Sequence, residues 1–240
     1  MSSTTLDVTL DSLTEPLIER IGSPTCGPGC SRCCERMTVL LSSAEALAIA
    51  RHAQDWAPAW RSRIKELKKW IEKDDAPEEA RDALLDQGPC VFLANQRCGV
   101  YEVRPDSCRA CLVWHEPWYC GRTDWDMTTP ADLNAARIES IYGRMLAEYD
   151  AGRKPFWGYV LPAVWAADRY GAEYESGADL SPEIGARWVE TELIEFPSRK
   201  RLEQELRDHR EIFRKNRRPF NQPPIADVKD REDLAPRSAT

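Results

Sequence analysis

The sequence predicts a mainly α-helical protein organised around an irregular cysteine-rich unit that carries one small β-hairpin. Three observations lead there. Apolar residues recur at steps of three and four in several segments, the spacing of one helix face. Helix-start signals precede some of these stripes: Ser42 with Glu45, Thr129 with Pro130, and Ser181 with Pro182. The nine cysteines, by contrast, all fall between Cys26 and Cys120 and stand in short groups.

Composition sets the frame. With 240 residues, 42% hydrophobic and 30% charged, the chain suits a globular protein of one ample domain or two small ones. Its start, Met1 to Val8, lacks a basic segment followed by an apolar run, which argues against a signal peptide. No apolar run approaches the roughly 20 residues needed to span a bilayer. The expected location is therefore cytoplasmic, where thiols stay reduced and open to metals. An odd cysteine count also argues against a disulfide framework. The formal charge of −7 argues against nucleic acid as a partner. The local exception is 198–218, where nine Lys/Arg face four Asp/Glu, leaving −12 on the rest.

Four regions are expected: an N-terminal segment at 1–25, a cysteine-cluster unit at 26–128, a helical region at 129–216, and a disordered tail at 217–240. Leu13 to Ile21 reads as a short helix, and Met37 to Leu41 as a strand. Ser42 and Glu45 form a capping box, after which Ala46, Ile49 and Ala53 follow one helix face. Trp60, Ile64, Leu67 and Ile71 make a second stripe, and Glu78 to Asp86 a third helix before Gly88-Pro89. These helices read as an insertion that holds the two cysteine groups together.

Cys90 to Ala94 and Cys98 to Glu102 flank Asn95-Gln96-Arg97 as a hairpin. Such a hairpin is marginal alone in water, and metal–sulfur bonds at its base would pin it. Arg104-Pro105 then turns the chain so that Cys108 returns toward the cluster. Arg104 and Arg109 are candidates to neutralise thiolates or a carboxylate such as Glu45, against the alternative of ordinary surface arginines. From Thr129-Pro130 a helix carries Ile138, Ile141, Met145 and Tyr149. Pro155 opens another that Pro162 should bend or break. This apolar 155–170 helix is either the core of its region or a contact surface for a protein partner or second copy. Ser181-Pro182 starts a helix through Trp188 to Leu193. The last helix pairs Glu203, Arg207, Glu211 and Lys215 at i,i+4, the mark of a solvated face.

The chemistry lies in the cysteines. Cys26-Gly-Pro-Gly-Cys30-Ser-Arg-Cys33-Cys34 sets thiols two and three residues apart in turn-forming backbone, which suits one metal-binding loop. Backbone N–H groups in such a loop can donate to the sulfurs. The vicinal pair is expected to diverge, so that either one thiol only packs or the site holds more than one metal. The second group reads Cys90-Val-Phe-Leu, Cys98-Gly-Val-Tyr-Glu-Val-Arg-Pro and Cys108-Arg. Cys111, His115 and Cys120 add ligand chemistry further along, against the alternative of buried thiols and a hydrogen-bonded imidazole.

These two groups resemble the YkgJ-like cysteine-cluster family, the CxxCxxCC zinc- or iron-chelating domain. The resemblance rests on Cys30, Cys33, Cys34, Cys90, Phe92, Leu93, Cys98, Tyr101, Arg104, Pro105, Cys108 and Arg109. The chain departs from that pattern where three residues separate Cys26 from Cys30, where Val91 replaces a proline, and where Val100 replaces isoleucine. The resemblance covers about 26–110 and implies a bound zinc or iron ion, an iron–sulfur cluster being a third form. Its ligand set is Cys26, Cys30, Cys33, Cys34, Cys90, Cys98 and Cys108. Seven such thiols exceed one tetrahedral site. Three uses compete: structural zinc, an iron–sulfur cluster, or a chelator that carries metal. An enzyme alternative comes through flagellin lysine methylases, which carry a similar cysteine cluster. No G-x-G-x-x-G, Walker-type or H-E-x-x-H motif supports catalysis independently.

Overall fold

The computed structural model describes residues 15–16, 19, 31–36, 39–53, 57–71, 89–111, 131–190 and 192–215. Of these, 68% are helical and 9% strand, which makes the protein mainly α. The expected segments at 78–86, 114–120 and 217–240 lie outside the described residues, as do Cys26, Cys30, His115 and Cys120.

The first helix is α1 (Arg32–Arg36). Ser31 holds its opening turn, accepting the Glu35 N–H at 3.1 Å and donating its hydroxyl to the Glu35 carboxylate at 3.0 Å. Cys33 and Cys34 thus lie on a helix, not in the tight loop that the neighbouring glycines suggested. Strand β1 (Leu40–Ser42) leads directly into α2 (Ser43–His52). The capping box forms: the Ser42 N–H and hydroxyl each donate to Glu45 at 2.8 Å. Ala46, Ile49 and Ala53 are fully excluded from solvent along one face. Ile64 and Leu67 do the same on α3 (Ala57–Ile71).

The hairpin is β2 (Leu93–Ala94) paired with β3 (Arg97–Cys98), Leu93 facing Cys98 and Ala94 facing Arg97. Asn95 and Gln96 both have positive φ, 51° and 59°, as a two-residue type I′ turn demands. Arg97 therefore joins the strand and does not lengthen the turn. Tyr101–Val103, expected to extend the second strand, coils into a 3-10 turn before Arg104-Pro105 and the short helix α4 (Asp106–Arg109).

Helix α5 (Ala131–Asp150) is followed by β4 (Trp157–Tyr159) and α6 (Val160–Glu175). The sequence suggested one helix from Pro155, broken at Pro162. The chain instead runs extended through Trp157–Tyr159, and Pro162 sits in the first turn of α6. There its missing N–H removes no hydrogen bond, because the first four helical N–H groups have no intrahelical partner. The irregularity of α6 falls at Tyr170, whose φ is −127°. A helix expected from Ser181 to Leu193 is likewise divided. Gly185, at φ 81°, separates α7 (Ser181–Ile184) from α8 (Ala186–Glu190), and β5 (Ile194–Glu195) follows.

Strands β1, β4 and β5 form an antiparallel sheet in that order, Leu41 facing Gly158 and Gly158 facing Ile194. Gly158 permits the close approach, since a Cβ there would stand 2.6 Å from the Leu193 carbonyl oxygen. One hydrophobic cluster spans both cysteine-bearing and C-terminal segments, joining Leu41, Ile49, Phe92, Phe156, Val164 and Ile194. Full burial of each such side chain stabilises by about 1.5–3 kcal/mol. Phe156, Leu161, Pro162, Val164 and Trp165 are all buried within this chain, with Trp165 stacked on Trp188 at 4.5 Å. Phe156 and Leu161–Ala167 are therefore core, while Trp157, Tyr159, Val160 and Tyr170 stay half-buried.

A second cluster packs Tyr142 and Met145 of α5 on Leu202 and Leu206 of α9 (Arg199–Lys215). The outer face of α9 carries the i,i+4 pairs Arg199–Glu203, Arg201–Glu205 and Glu211–Lys215. Among the described residues no helix is long and apolar enough to cross a membrane.

A buried polar trio joins α2, α5 and α6. Ser43 donates to the Glu148 carboxylate, and the Tyr174 hydroxyl donates to Ser43 at 3.0 Å. Burial pushes the Glu148 carboxyl above its usual range, offset in part by those hydroxyls. The folded state therefore binds this proton more tightly than the unfolded chain. The resulting stabilisation is complete below the ordinary glutamate pKa of about 4.3 and is lost as pH rises through the folded value. Glu148→Gln should remove this pH dependence. Its stability relative to the parent, followed by urea denaturation, is expected to improve steadily from pH 4 to pH 8. A difference that stays flat or falls with pH would contradict the assignment.

Candidate metal centre

The two cysteine groups meet through the backbone first. The Cys90 N–H donates to the Cys34 carbonyl at 2.6 Å, joining α1 to the entry of the hairpin. Arg63 of α3 holds the residue before Cys90, donating to the Pro89 carbonyl at 2.8 Å. The inserted helix thus braces the second group, as its place in the sequence suggested. Beyond the hairpin, Gly99 N–H donates to the Phe92 carbonyl at 2.8 Å, and Cys108 N–H to the Pro105 carbonyl at 2.9 Å.

Cys33, Cys34, Cys90, Cys98 and Cys108 line one cavity of about 460 Å³. Both members of the vicinal pair face it, against the expectation that they diverge. Successive helical side chains stand about 100° apart, so two neighbours on α1 can both border a wide cavity. Their side chains also hydrogen-bond to each other. None of the six described cysteines is in a disulfide.

Cys33 is the electrostatic hub. The Cys111 thiol donates to its sulfur, Cys34 does the same, and together they hold the Cys33 thiol well below the ordinary cysteine range. Cys34, donating to Cys33, is pushed up. Burial raises Cys90, Cys98 and Cys108, and each is raised further by the charge on Cys33. Backbone donors two residues on oppose this rise: the Phe92 N–H toward Cys90 and the Val100 N–H toward Cys98. N–H donation to sulfur was anticipated in the first group; it also occurs in the hairpin. Arg104 lowers Cys98, and Arg63 lowers Cys90.

Crowded thiols with mutually raised pKa values have one ready relief, a cation that takes their charge. Metal binding deprotonates such ligands and releases the protons. The donor set fits zinc or iron, both of which thiolates bind. Among the described residues no group of three or more His, Cys, Asp or Glu side chains is arranged to hold a metal ion as it stands. The five thiols border a common space without having closed on one point.

A carboxylate network fixes Cys108 from behind. Glu45, only 3% exposed, accepts the Asp106 N–H at 2.8 Å with the oxygen not used in its capping box. Burial pushes the Glu45 carboxyl up, and Arg144 opposes that shift. Asp106, 2% exposed, accepts from Ser140 and pairs with Arg144, both on α5. Arg144 is thus the cation that acts on Glu45, the role for which Arg104 and Arg109 were candidates. Arg104 acts on a thiol, lowering Cys98, and lies over the Tyr101 ring, 4.3 Å from its centre.

Five of the seven expected ligands, Cys33, Cys34, Cys90, Cys98 and Cys108, border one space bounded by two backbone-linked segments. Residues 25–128 match the CxxCxxCC family model. Its description is "Putative zinc- or iron-chelating domain". No curated protein and no solved structure matches the chain. The CxxCxxCC segment takes in all nine cysteines, and its chelating description agrees with the donor chemistry of the cavity. Cys111 was left outside the expected ligand set, yet it is buried and bonded to the Cys33 sulfur. Its signal in the sequence was its position three residues after Cys108, one helical turn on.

Proposed function

We propose that the CxxCxxCC segment binds zinc or iron through thiolates from both cysteine groups, with Cys26, Cys30, Cys33, Cys34, Cys90, Cys98 and Cys108 as the ligand set. The single observation that carries this reading is the common cavity: two sequence groups far apart in the chain present five thiols to one space. More than four thiols favour a binuclear or cluster site over one tetrahedral ion. Ligands on α1, the hairpin and α4 would tie these segments to one another, so metal affinity and folding are linked.

Anaerobic titration of the reduced full chain with zinc and with ferrous iron tests this directly. More than one equivalent of one metal per chain is expected, with proton release and a higher melting temperature. Ferrous iron with sulfide should leave a brown chromophore if the site is an iron–sulfur cluster. A chain that takes up neither metal at stoichiometric level, with its thiols shown to be reduced, overturns the proposal.

A further inference from the structure

The cavity is far larger than the ion. Zinc–sulfur bonds near 2.3 Å confine a metal to a small part of the roughly 460 Å³, and ligand pockets begin at about 300 Å³. What remains is apolar. Val39, Ile49, Phe92, Val100 and Val160 line it, with Phe92 and Val100 at 1% and 3% exposure. At the mouth stand Gln96, Arg97, Tyr101 and Arg104. Gln96 and Arg97 are exposed, and Tyr101 is 52% exposed. Among the described residues no carboxylate pairs with Arg97 or Arg104.

This mouth is built. Gln96 holds φ 59°, a region that non-glycine residues other than Asn and Asp seldom adopt. The type I′ turn that requires it places Arg97 on β3, beside Cys98 and at the cavity edge. Arg104 is oriented by the Tyr101 ring on the facing 3-10 turn. Two cations thus flank an apolar chamber, and a small number of convergent polar groups on an apolar pocket is the form of an organic-ligand site.

We infer that the cavity takes a small organic anion, a carboxylate with an apolar body on the order of ten non-hydrogen atoms, beside the metal. Its head lies at Arg97 and Arg104, and its body lies along Phe92, Val100 and Val160. The inference builds on the metal reading, because the body of the ligand then rests against the metal-bound sulfurs.

Calorimetric titration of the zinc-loaded full chain with 3-phenylpropionate tests it, beside the neutral 3-phenylpropanamide and the cation 3-phenylpropylammonium. The anion is expected to bind saturably, at least fivefold more tightly than the amide, and the cation more weakly still. Arg97→Gln with Arg104→Gln should abolish the preference for the anion. Arg97→Gln alone, an exposed change, should reduce it in part and guards against misfolding of the double variant. Equal binding of anion and amide, or no binding of either, overturns the inference. Zinc content measured on the same samples separates the two ideas. Full zinc without anion binding sinks this one alone, whereas anion binding by a chain that takes no metal sinks the metal reading alone.

Discussion

Cys33→Ser is expected to lose most of the bound metal and to unfold the cysteine-rich part of the protein. Cys33 is the sulfur on which the others act: it receives Cys111 and Cys34, and its charge raises Cys90, Cys98 and Cys108. A hydroxyl there is a poor ligand for a thiophilic ion. Structural zinc in small peptides supplies about 10–16 kcal/mol of folding free energy, against about 5–15 kcal/mol for the whole stability of an ordinary domain. Losing part of that is enough to unfold α1, the hairpin and α4 together. Cys98→Ser should behave alike, since Cys98 sits at the base of the hairpin opposite Leu93. Cys120→Ser, outside the matched ligand pattern, should keep both metal and melting temperature. Elemental analysis and thermal melts under reducing conditions decide it. A Cys33→Ser protein with full metal and an unchanged melt would show that the site is held by other thiols.

Arg144→Met is expected to cost about 3–5 kcal/mol, the usual penalty for leaving one member of a buried ion pair alone. Asp106 is 2% exposed and the Arg144 side chain 18%, so water cannot take over from the guanidinium. Among the described residues, Ser140 then remains to donate to that carboxylate. The loss reaches further than one pair, because Asp106 opens the helix that carries Cys108, and Glu45 grips the same N-terminus. Adding Asp106→Asn should recover much of the stability by removing the orphaned charge, a coupling that a double-mutant cycle in urea measures. If Arg144→Met stays within about 0.5 kcal/mol of the parent, the size of an ordinary surface change, the network does not brace the site.

Much of this arrangement was legible because it is local. Ser42 and Glu45 announce the start of α2 three residues apart, and Ile64 and Leu67 mark the buried face of α3 by spacing alone. The five described ligand candidates were legible through their grouping. What the sequence concealed is long-range or ambiguous in period. Phe156 to Trp165 is apolar throughout, and periodicity cannot divide such a run into strand and helix. Pairing with Leu40–Ser42 and Ile194–Glu195, remote in the chain, decides it. Glu148 looked like one more surface charge on α5; only Ser43 and Tyr174 closing over it reveal its burial. Cys111 stood out only by its spacing from Cys108, and its bond to Cys33 depends on α1 meeting the end of α4.

The Cys34–Cys90 backbone bond also bears on how the intervening chain can vary. It ties the ends of a ring of more than fifty residues, with Arg63 reaching across to Pro89. Closing a longer ring is cheap: each doubling of its length adds only about 0.6 kcal/mol of entropy. The number of residues between the two cysteine groups is therefore weakly constrained, because a longer connection would enlarge the ring while leaving both of its anchored ends where they are.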